Sequence, residues 1–224
     1  FFRMKNCFVS INIKEYILYT CSFILLGCYV FASDKARSDN EIFIDQTGNN
    51  FAILGVQYGD NNTITIDGTG DNNGIKLCQG CAFDYPESYT NHDHWTDDWE
   101  SGGHIMDLTI SGSGNGISAQ QTNQGNAGNN AHSYELNLSG DYNEVTTIQQ
   151  HDGAKTIDLT IYNDDNDVLI RQKGNGANHY ATVELDGTYG TDLTLKQFGS
   201  LTQTYSLTQN CLNPSGCSIS VTQE

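Results

Sequence analysis

The sequence predicts an all-β chain that folds as a β-solenoid of about seven strand-turn-strand repeats of roughly 22 residues, with one loop insertion. The 224 residues include 23 Gly and only 2 Pro, with many Asn, Gln, Thr and Ser, which is typical of short strands and tight polar turns. A pattern apolar-x-apolar-x-Gln recurs, and positions 46, 57, 68 and 79 lie 11 residues apart. No long helical periodicity follows residue 33.

Residues 1–32 are predicted to be a secretory signal peptide, and residues 33–40 a short N-terminal tail. Lys5 and Lys14 precede an apolar run over 16–30, and small residues around Ala32 suit a cleavage site. Two alternatives stay open. The sequence Leu-Leu-Gly-Cys at 25–28 looks like a lipoprotein box that would lipidate Cys28, and the apolar run could remain as an uncleaved anchor helix. With the signal removed, the mature chain is expected to have no membrane span.

The charge balance argues against nucleic acid as a partner. The chain has 10 Lys and Arg against 27 Asp and Glu, a formal net charge of −17. A phosphate-binding surface needs a basic footprint, which this composition lacks. The acidic excess suits solubility or the collection of cations.

The repeats are predicted to occupy residues 41–79 and 105–224. Each strand has one apolar row and cannot bury it alone, so successive units stack at a strand separation of about 4.8 Å. Inward Gln side chains then form a ladder in which each amide donates to and accepts from the next copy. The predicted ladder residues are Gln46, Gln57, Gln79, Gln121, Gln150, Gln172, Gln197 and Gln223. Sister strands between them usually have Gly in place of Gln, and the turns use Gly59, Asn62, Gly112 and Asn115.

These units resemble the curlin repeat of the curli family of secreted bacterial fibre subunits, whose pattern runs roughly S-x5-Q-x-G-x-G-N-x-A-x3-Q. The stretch QYGDNN at 57–62 matches its Gln-to-Asn arc, and the resemblance covers about residues 41–223. It implies an extracellular, cell-surface protein that assembles end to end into amyloid fibres for adhesion and biofilm matrix. It also implies a nucleator or secretion pore as a partner, and it assigns the ladder role to the Gln residues and the turn role to Asn62. The leading Ser is mostly missing and Gly replaces many sister-strand Gln residues, which departs from the family pattern.

Self-association is also expected on physical grounds. A solenoid ends in unpaired strand edges, which recruit another chain unless they are covered or charged. The first and last repeat strands, 42–46 and 219–223, have no obvious cap in the sequence.

Four cysteines lie outside the predicted signal, and an even number suits an oxidising compartment. Cys78 and Cys81 form a C-x-x-C pair, and Cys211 and Cys217 flank a turn-rich loop. We predict two local disulfides. A zinc site built from all four cysteines and a thioredoxin-like role are the alternatives.

Residues 80–104 interrupt the repeat as an acidic, aromatic insertion loop. Candidate surface-binding residues are Trp95, Trp99, Tyr85 and Tyr89, which suit contact with a glycan or another surface. No metal site is assigned, although His92, His94 and His104 beside acidic residues are weaker candidates for metal ligands. The alternative is a decorated loop whose aromatics pack on the solenoid flank.

No catalytic residue and no cofactor are predicted. Carboxylates occur throughout so acidic a chain, so their proximity in sequence identifies no acid–base pair. A thin two-strand solenoid also leaves little room for a cleft. Asp164, Asp165, Asn166 and Asp167 are interpreted as a turn, with a weak calcium contact as the alternative. The function predicted is a structural, adhesive fibre subunit. The alternatives are a non-polymerising adhesin or phage tail-fibre-type module that binds through residues 80–104, and a glycan-active enzyme.

Overall fold

A computed structural model describes residues 2–4, 7–12, 28–32, 41–47, 51–55, 57, 62–80, 103–111, 114–122, 132–139, 142–150, 154–162, 165–174, 179–199 and 203–224. These residues form mainly β-strands, and the described part of the chain has no helix. The strands are β1 Phe2–Met4, β2 Cys7–Asn12, β3 Cys28–Ala32, β4 Glu41–Thr47, β5 Phe51–Gly55, β6 Thr63–Thr69, β7 Ile75–Lys76, β8 Ile105–Ser111, β9 Ile117–Thr122, β10 His132–Ser139, β11 Val145–Gln150, β12 Lys155–Tyr162, β13 Val168–Lys173, β14 His179–Asp186, β15 Leu193–Phe198, β16 Gln203–Asn210 and β17 Ile219–Gln223.

The chain alternates between two sheets, so that one strand from each makes one turn of a solenoid. Sheet 1 has the order β1-β2-β4-β6-β8-β10-β12-β14-β16, and sheet 2 has the order β17-β15-β13-β11-β9-β7-β5-β3. From β4 onward every pairing is parallel and joins equivalent residues of neighbouring turns. The predicted all-β solenoid is therefore confirmed.

The solenoid continues for about five turns from β8 to β17 without a long break. Strands β4 to β7 come before residues 81–102, which the structure does not describe, and they stack on the solenoid next to β8 and β9. The continuous part is shorter than the predicted seven repeats. Its turns also vary in length, because bonded ladder partners lie 23, 25, 26 or 28 residues apart rather than a constant 22.

The core lies between the two sheets and is made of aliphatic rows. Burial alternates along many of the strands, as in β14, where every second side chain is buried, whereas β11 has the three consecutive buried residues Thr147, Ile148 and Gln149. Leu108, Leu136 and Leu159 occupy one row in three consecutive turns and are fully buried. Burying one such side chain contributes about 1.5–3 kcal/mol, so the stacked rows supply the main stabilising term.

Strands β1 to β3 lie within the predicted signal peptide and extend the N-terminal end of the solenoid. Strand β2 pairs with β4 in antiparallel orientation, and β3 pairs with β5 in parallel orientation. Cleavage after Ala32 remains a prediction, and it would remove all three strands and leave the edges of β4 and β5 open. Within the described residues, no helix has the length and apolarity needed to cross a membrane.

Candidate functional site: three polar columns and an open end

The first polar column is a ladder of Gln side chains at the end of the sheet 2 strands. Each amide Nε2 donates to the Oε1 of the preceding copy, from Gln149 to Gln121 at 2.7 Å, from Gln172 to Gln149 at 3.0 Å and from Gln197 to Gln172 at 2.7 Å. Gln223 continues the ladder at 2.6 Å from Gln197. At the other end the direction is reversed, because Gln57 Nε2 donates to the Oε1 of the following copy, Gln79, at 3.3 Å.

The same amides also connect the two sheets. Nε2 of Gln149 donates to the backbone carbonyl of Thr156, and Nε2 of Gln172 donates to the carbonyls of Lys155 and Tyr180. These carbonyls belong to the first residues of sheet 1 strands. The Gln side chains therefore bond to backbone carbonyls at the start of the sheet 1 strands, and these bonds tie sheet 2 to sheet 1 at this bend.

The prediction that Gln150 belongs to this ladder was wrong by one residue. Gln149 lies opposite Gln121 and Gln172 and is fully buried, whereas Gln150 lies opposite Thr122 and Lys173 and is half-buried. A shift of one residue along a strand moves a side chain to the opposite face. Because the rows of β9 and β13 set the inward face of β11, Gln150 faces outward.

Gln46 is also placed differently from the prediction, because it lies in sheet 1. It is buried and pairs with Gly68, which in turn pairs with Ile110. The same column continues through Leu138, Ile161 and Leu185 to Gln209.

The second column is a ladder of Asn side chains at the bend from sheet 1 to sheet 2. Asn115 Nδ2 donates to Asn73 Oδ1 at 2.5 Å, and the bonds from Asn143 to Asn115 and from Asn166 to Asn143 are 2.6 Å. All four side chains are buried. Asn115, which the repeat pattern predicts to be a turn residue, has a structural role at this bend through its bonds to Asn73 and Asn143. The turn at 164–167 likewise contributes Asn166 to the ladder.

The residue before each ladder Asn adopts a left-handed conformation. This holds for Asn72, Gly114, Tyr142 and Asp165, with φ of 55°, 74°, 57° and 57°. In the next turn, Gly190 has φ 74°, and an added Cβ would lie 2.5 Å from the backbone nitrogen of Asp165. The close stacking of the bends therefore requires glycine at 190.

The third column lies at the start of the sheet 1 strands and was not predicted. It consists of Asn62, His104, His132, Lys155, His179 and Gln203 in successive turns, and all but Gln203 are fully buried. Asn62 Nδ2 lies 3.2 Å from His104 Nδ1, and the rings of His104 and His132 stack with centroids 5.0 Å apart. Asn62 thus lies at this bend, as part of a polar column, rather than in the Asn ladder.

This column places positive charge in the core. Burial, together with the charge of the neighbouring Lys155, lowers the pKa of His179 to about 4. His179 is therefore neutral at pH 7. The sequence patterns did not identify His132 and His179 as core residues, and both are fully buried. A sequence signal was present, because each histidine stands two residues before the first apolar inward side chain of its strand, Tyr134 or Ala181, and so has the same inward direction.

His104 does not fit the role of a surface metal ligand, because it is fully buried against Asn62 and His132. No group of three or more His, Cys, Asp or Glu residues within the described ranges has an arrangement that could hold a metal ion. The other candidates of the insertion, Tyr85, Tyr89, His92, His94, Trp95 and Trp99, lie outside the described residues, as do Gly59, Gly112 and Cys81.

The disulfide between Cys211 and Cys217 is confirmed, with Cα atoms 6.1 Å apart. It closes the last bend, where Cys217 stands two residues before Ile219, as Asn166 stands two residues before Val168. A covalent bond thus holds the bend at which the Asn ladder has ended. Cys78 is buried and also disulfide-bonded, and the predicted Cys78–Cys81 pairing remains a prediction.

The C-terminal end of the solenoid is open within the described chain. The inner rows continue into β16 and β17, but there Ile219 is 40% and Val221 42% exposed, although the equivalent Leu193 and Leu195 are fully buried. Tyr205 and Leu207 are only partly buried. The last turn therefore presents a core-type surface to solvent.

The fold and these columns define a parallel β-solenoid with internal amide ladders. Comparison with family models, with curated proteins and with solved structures finds no match for this chain.

Proposed function

We propose that this chain is a secreted structural and adhesive subunit that self-assembles into extracellular fibres. The observation that carries the proposal is the open last turn, in which the rows that form the core elsewhere end half-exposed at Ile219 and Val221. A second chain that added strands to β16 and β17 would extend both sheets and bury these rows.

The backbone of β17 is arranged to accept such a strand. Leu193 N donates to Ser218 O at 2.8 Å, and Glu224 N donates to Gln197 O at 3.0 Å. Backbone groups alternate in direction along a parallel strand, so those of Ile219, Val221 and Gln223 point to the open side. The edge thus offers hydrogen-bonding groups and apolar surface together.

Four further features support assembly into an extracellular fibre. The repeats resemble the curlin unit, and the amide ladders at regular strand spacing are typical of cross-β assemblies. The Cys211–Cys217 disulfide suits an oxidising compartment, as does the predicted signal at 1–32. In this proposal, residues 41–223 comprise about seven curlin-like repeats. The chain would use a nucleator or secretion pore during export.

The test uses the exported chain, purified under denaturing conditions and then diluted into buffer at pH 7. We expect filaments by negative-stain microscopy, a thioflavin signal, and fibre reflections at about 4.8 Å and about 10 Å. A chain that stays monomeric for days without these signals would refute the proposal. Discrete oligomers that bind a target only when residues 80–104 are present would favour a binding module instead.

A matched pair of variants tests whether the open edge carries assembly. Val221→Lys places a charge in the inner row, and the monomer tolerates it because Val221 is exposed there. Burial of this charge in a joint would be costly, so filament growth should stop. Ser220→Lys adds the same charge one residue away on the outward face and should assemble like the parent chain. Equal assembly of both variants would show that β17 is not the joint.

A further inference from the structure

The sheet 1 column that contains Gln46 has an unusual composition at its two ends. Its interior positions are Gly68, Ile110, Leu138, Ile161 and Leu185, all apolar. Amides occur only at the terminal positions of the described column, in Gln46 on β4 and in Gln209 on β16. Gln209 Nε2 donates to the hydroxyl of Thr191 at 3.3 Å within the chain. A carboxamide has two N–H donors and an acceptor oxygen, so Gln209 can also bond to a second amide, and an inward Gln in an aliphatic row is costly where its polar groups lack partners.

The two terminal amides would meet if a second copy stacked on the first. We propose that the assembly joint is head to tail, with β4 of one copy continuing the register of β16 of another so that Gln46 bonds to Gln209. This inference rests on the proposed self-assembly and names its partner, polarity and register. Leu207 then lies opposite Ile44, and Tyr205 lies opposite Ile42, so apolar rows remain continuous.

Sheet 2 supports the same register independently. Continuing its pairing by one turn places Ile219 opposite Ile53, Val221 opposite Gly55, and Gln223 opposite Gln57. Gln57 is 1% exposed and begins the described Gln ladder, which Gln223 ends. One rigid placement thus joins two amide pairs, one in each sheet. A slip of two residues would place Gln209 opposite Ile44 and would break both matches.

The charges on the outward faces favour this polarity over a joint between two N-terminal ends. The outward side chains of β16 are the uncharged Thr204, Ser206, Thr208 and Asn210. Those of β4 include Glu41 and Asp45, which are exposed. An antiparallel pair of β4 strands centred on Phe43 would place Glu41 of each copy opposite Asp45 of the other, and like charges in that position are destabilising.

The joint needs a β4 edge that is free of β2. When residues 1–32 are present, Cys7 of β2 lies opposite Gln46 and Val9 lies opposite Ile44, so β2 occupies the edge on which the second copy would stack. The chain to test is therefore the exported one, with Ser33 verified as its first residue by mass spectrometry.

The first experiment is a coupling test. Gln46→Leu and Gln209→Leu each insert the side chain that this column already has at Leu138 and Leu185. Either single change leaves one amide without its partner in the joint and should raise the critical concentration for filament growth about tenfold. The double variant should return to within about threefold of the parent, because the joint then has an apolar pair at that position. Thr208→Leu, next to Gln209 on the outward face, should have no effect.

The second experiment identifies which residues meet. Filaments grown from an equimolar mixture of Gln46→Cys and Gln209→Cys chains should form intermolecular disulfides between positions 46 and 209 when oxidised, since paired strands bring Cα atoms within bonding range. Cross-links between two copies of position 46 or two copies of position 209 would overturn the inference. If the parent chain forms filaments but the two Leu substitutions show no coupling and the Cys variants form no 46–209 cross-link, the proposed joint is also overturned. The proposed self-assembly would still hold in that case. Absence of any filaments would overturn the proposed function and the joint together.

Discussion

Replacement of Gln149 by leucine tests the Gln ladder against a neighbouring control. Gln149 takes part in three hydrogen bonds: it donates to Gln121 at 2.7 Å and to the carbonyl of Thr156 at 3.0 Å, and it accepts from Gln172 at 3.0 Å. A net contribution of about 1 kcal/mol for each bond gives a loss of about 3 kcal/mol. Leucine at this site recovers about 1 kcal/mol through burial of apolar surface, so we expect a net loss of about 2 kcal/mol.

The control is Gln150→Leu, one residue further along β11. Gln150 faces outward and is half-buried, so the change should alter stability by no more than about 0.5 kcal/mol. Native-state hydrogen exchange of monomeric chain at low concentration measures both effects at β9, β11 and β13, because a stacked-repeat protein opens locally. The reasoning would be refuted if the two variants lost equal protection, or if only Gln150→Leu lost it.

Three further predictions concern the other columns and the last bend. Asn143→Leu breaks the Asn ladder in its interior and should cost about 2 kcal/mol by the same exchange measurement, and unchanged protection of β11 would contradict a stabilising ladder. His179 has a folded pKa of about 4 against 6.5 when unfolded, so its neutral form beside Lys155 stabilises the fold above pH 6.5, and this stability is lost as the pH falls toward 4. His179→Gln should remove part of that acid sensitivity in a circular-dichroism pH titration, and an unchanged acid midpoint would exclude His179 as its source. Cys217→Ser opens a short disulfide loop and should lower stability by about 2 kcal/mol. Hydrogen exchange in β17 should then be faster than in the parent chain, with exchange in β11 unchanged. Equal exchange of β17 in the variant and the parent chain would show that the bend needs no covalent support.

Local patterns in the sequence predict the strands and the stacking well. Alternation of apolar residues, as at Ile64 and Ile66, identifies inward faces because the side-chain period of a strand is two. The disulfide at Cys211 is also readable, since a turn-rich loop between two nearby cysteines can close.

The sequence could not assign the register of β11 or the sheet of Gln46. In β11, Ile148 is apolar but lies on the outward face, while the inward row carries Thr147 and Gln149. The position of the apolar residue therefore predicted the wrong inward face for this strand. For Gln46, the 11-residue spacing to Gln57 spans half a turn and connects different sheets. Both assignments depend on which strands are neighbours in space.

The chain by itself determined that it would fold as stacked strand-turn-strand units with amide ladders, because period-two alternation and repeated turn residues are local properties. Only the tertiary structure decided which amides share a column and that His104, His132, Lys155 and His179 form a buried one. It also decided that Gln46 and Gln209 stand at the two ends of another sheet 1 column. The physical reason is that a column joins residues 22 or more positions apart, and the variable bends between them set the alignment through packing.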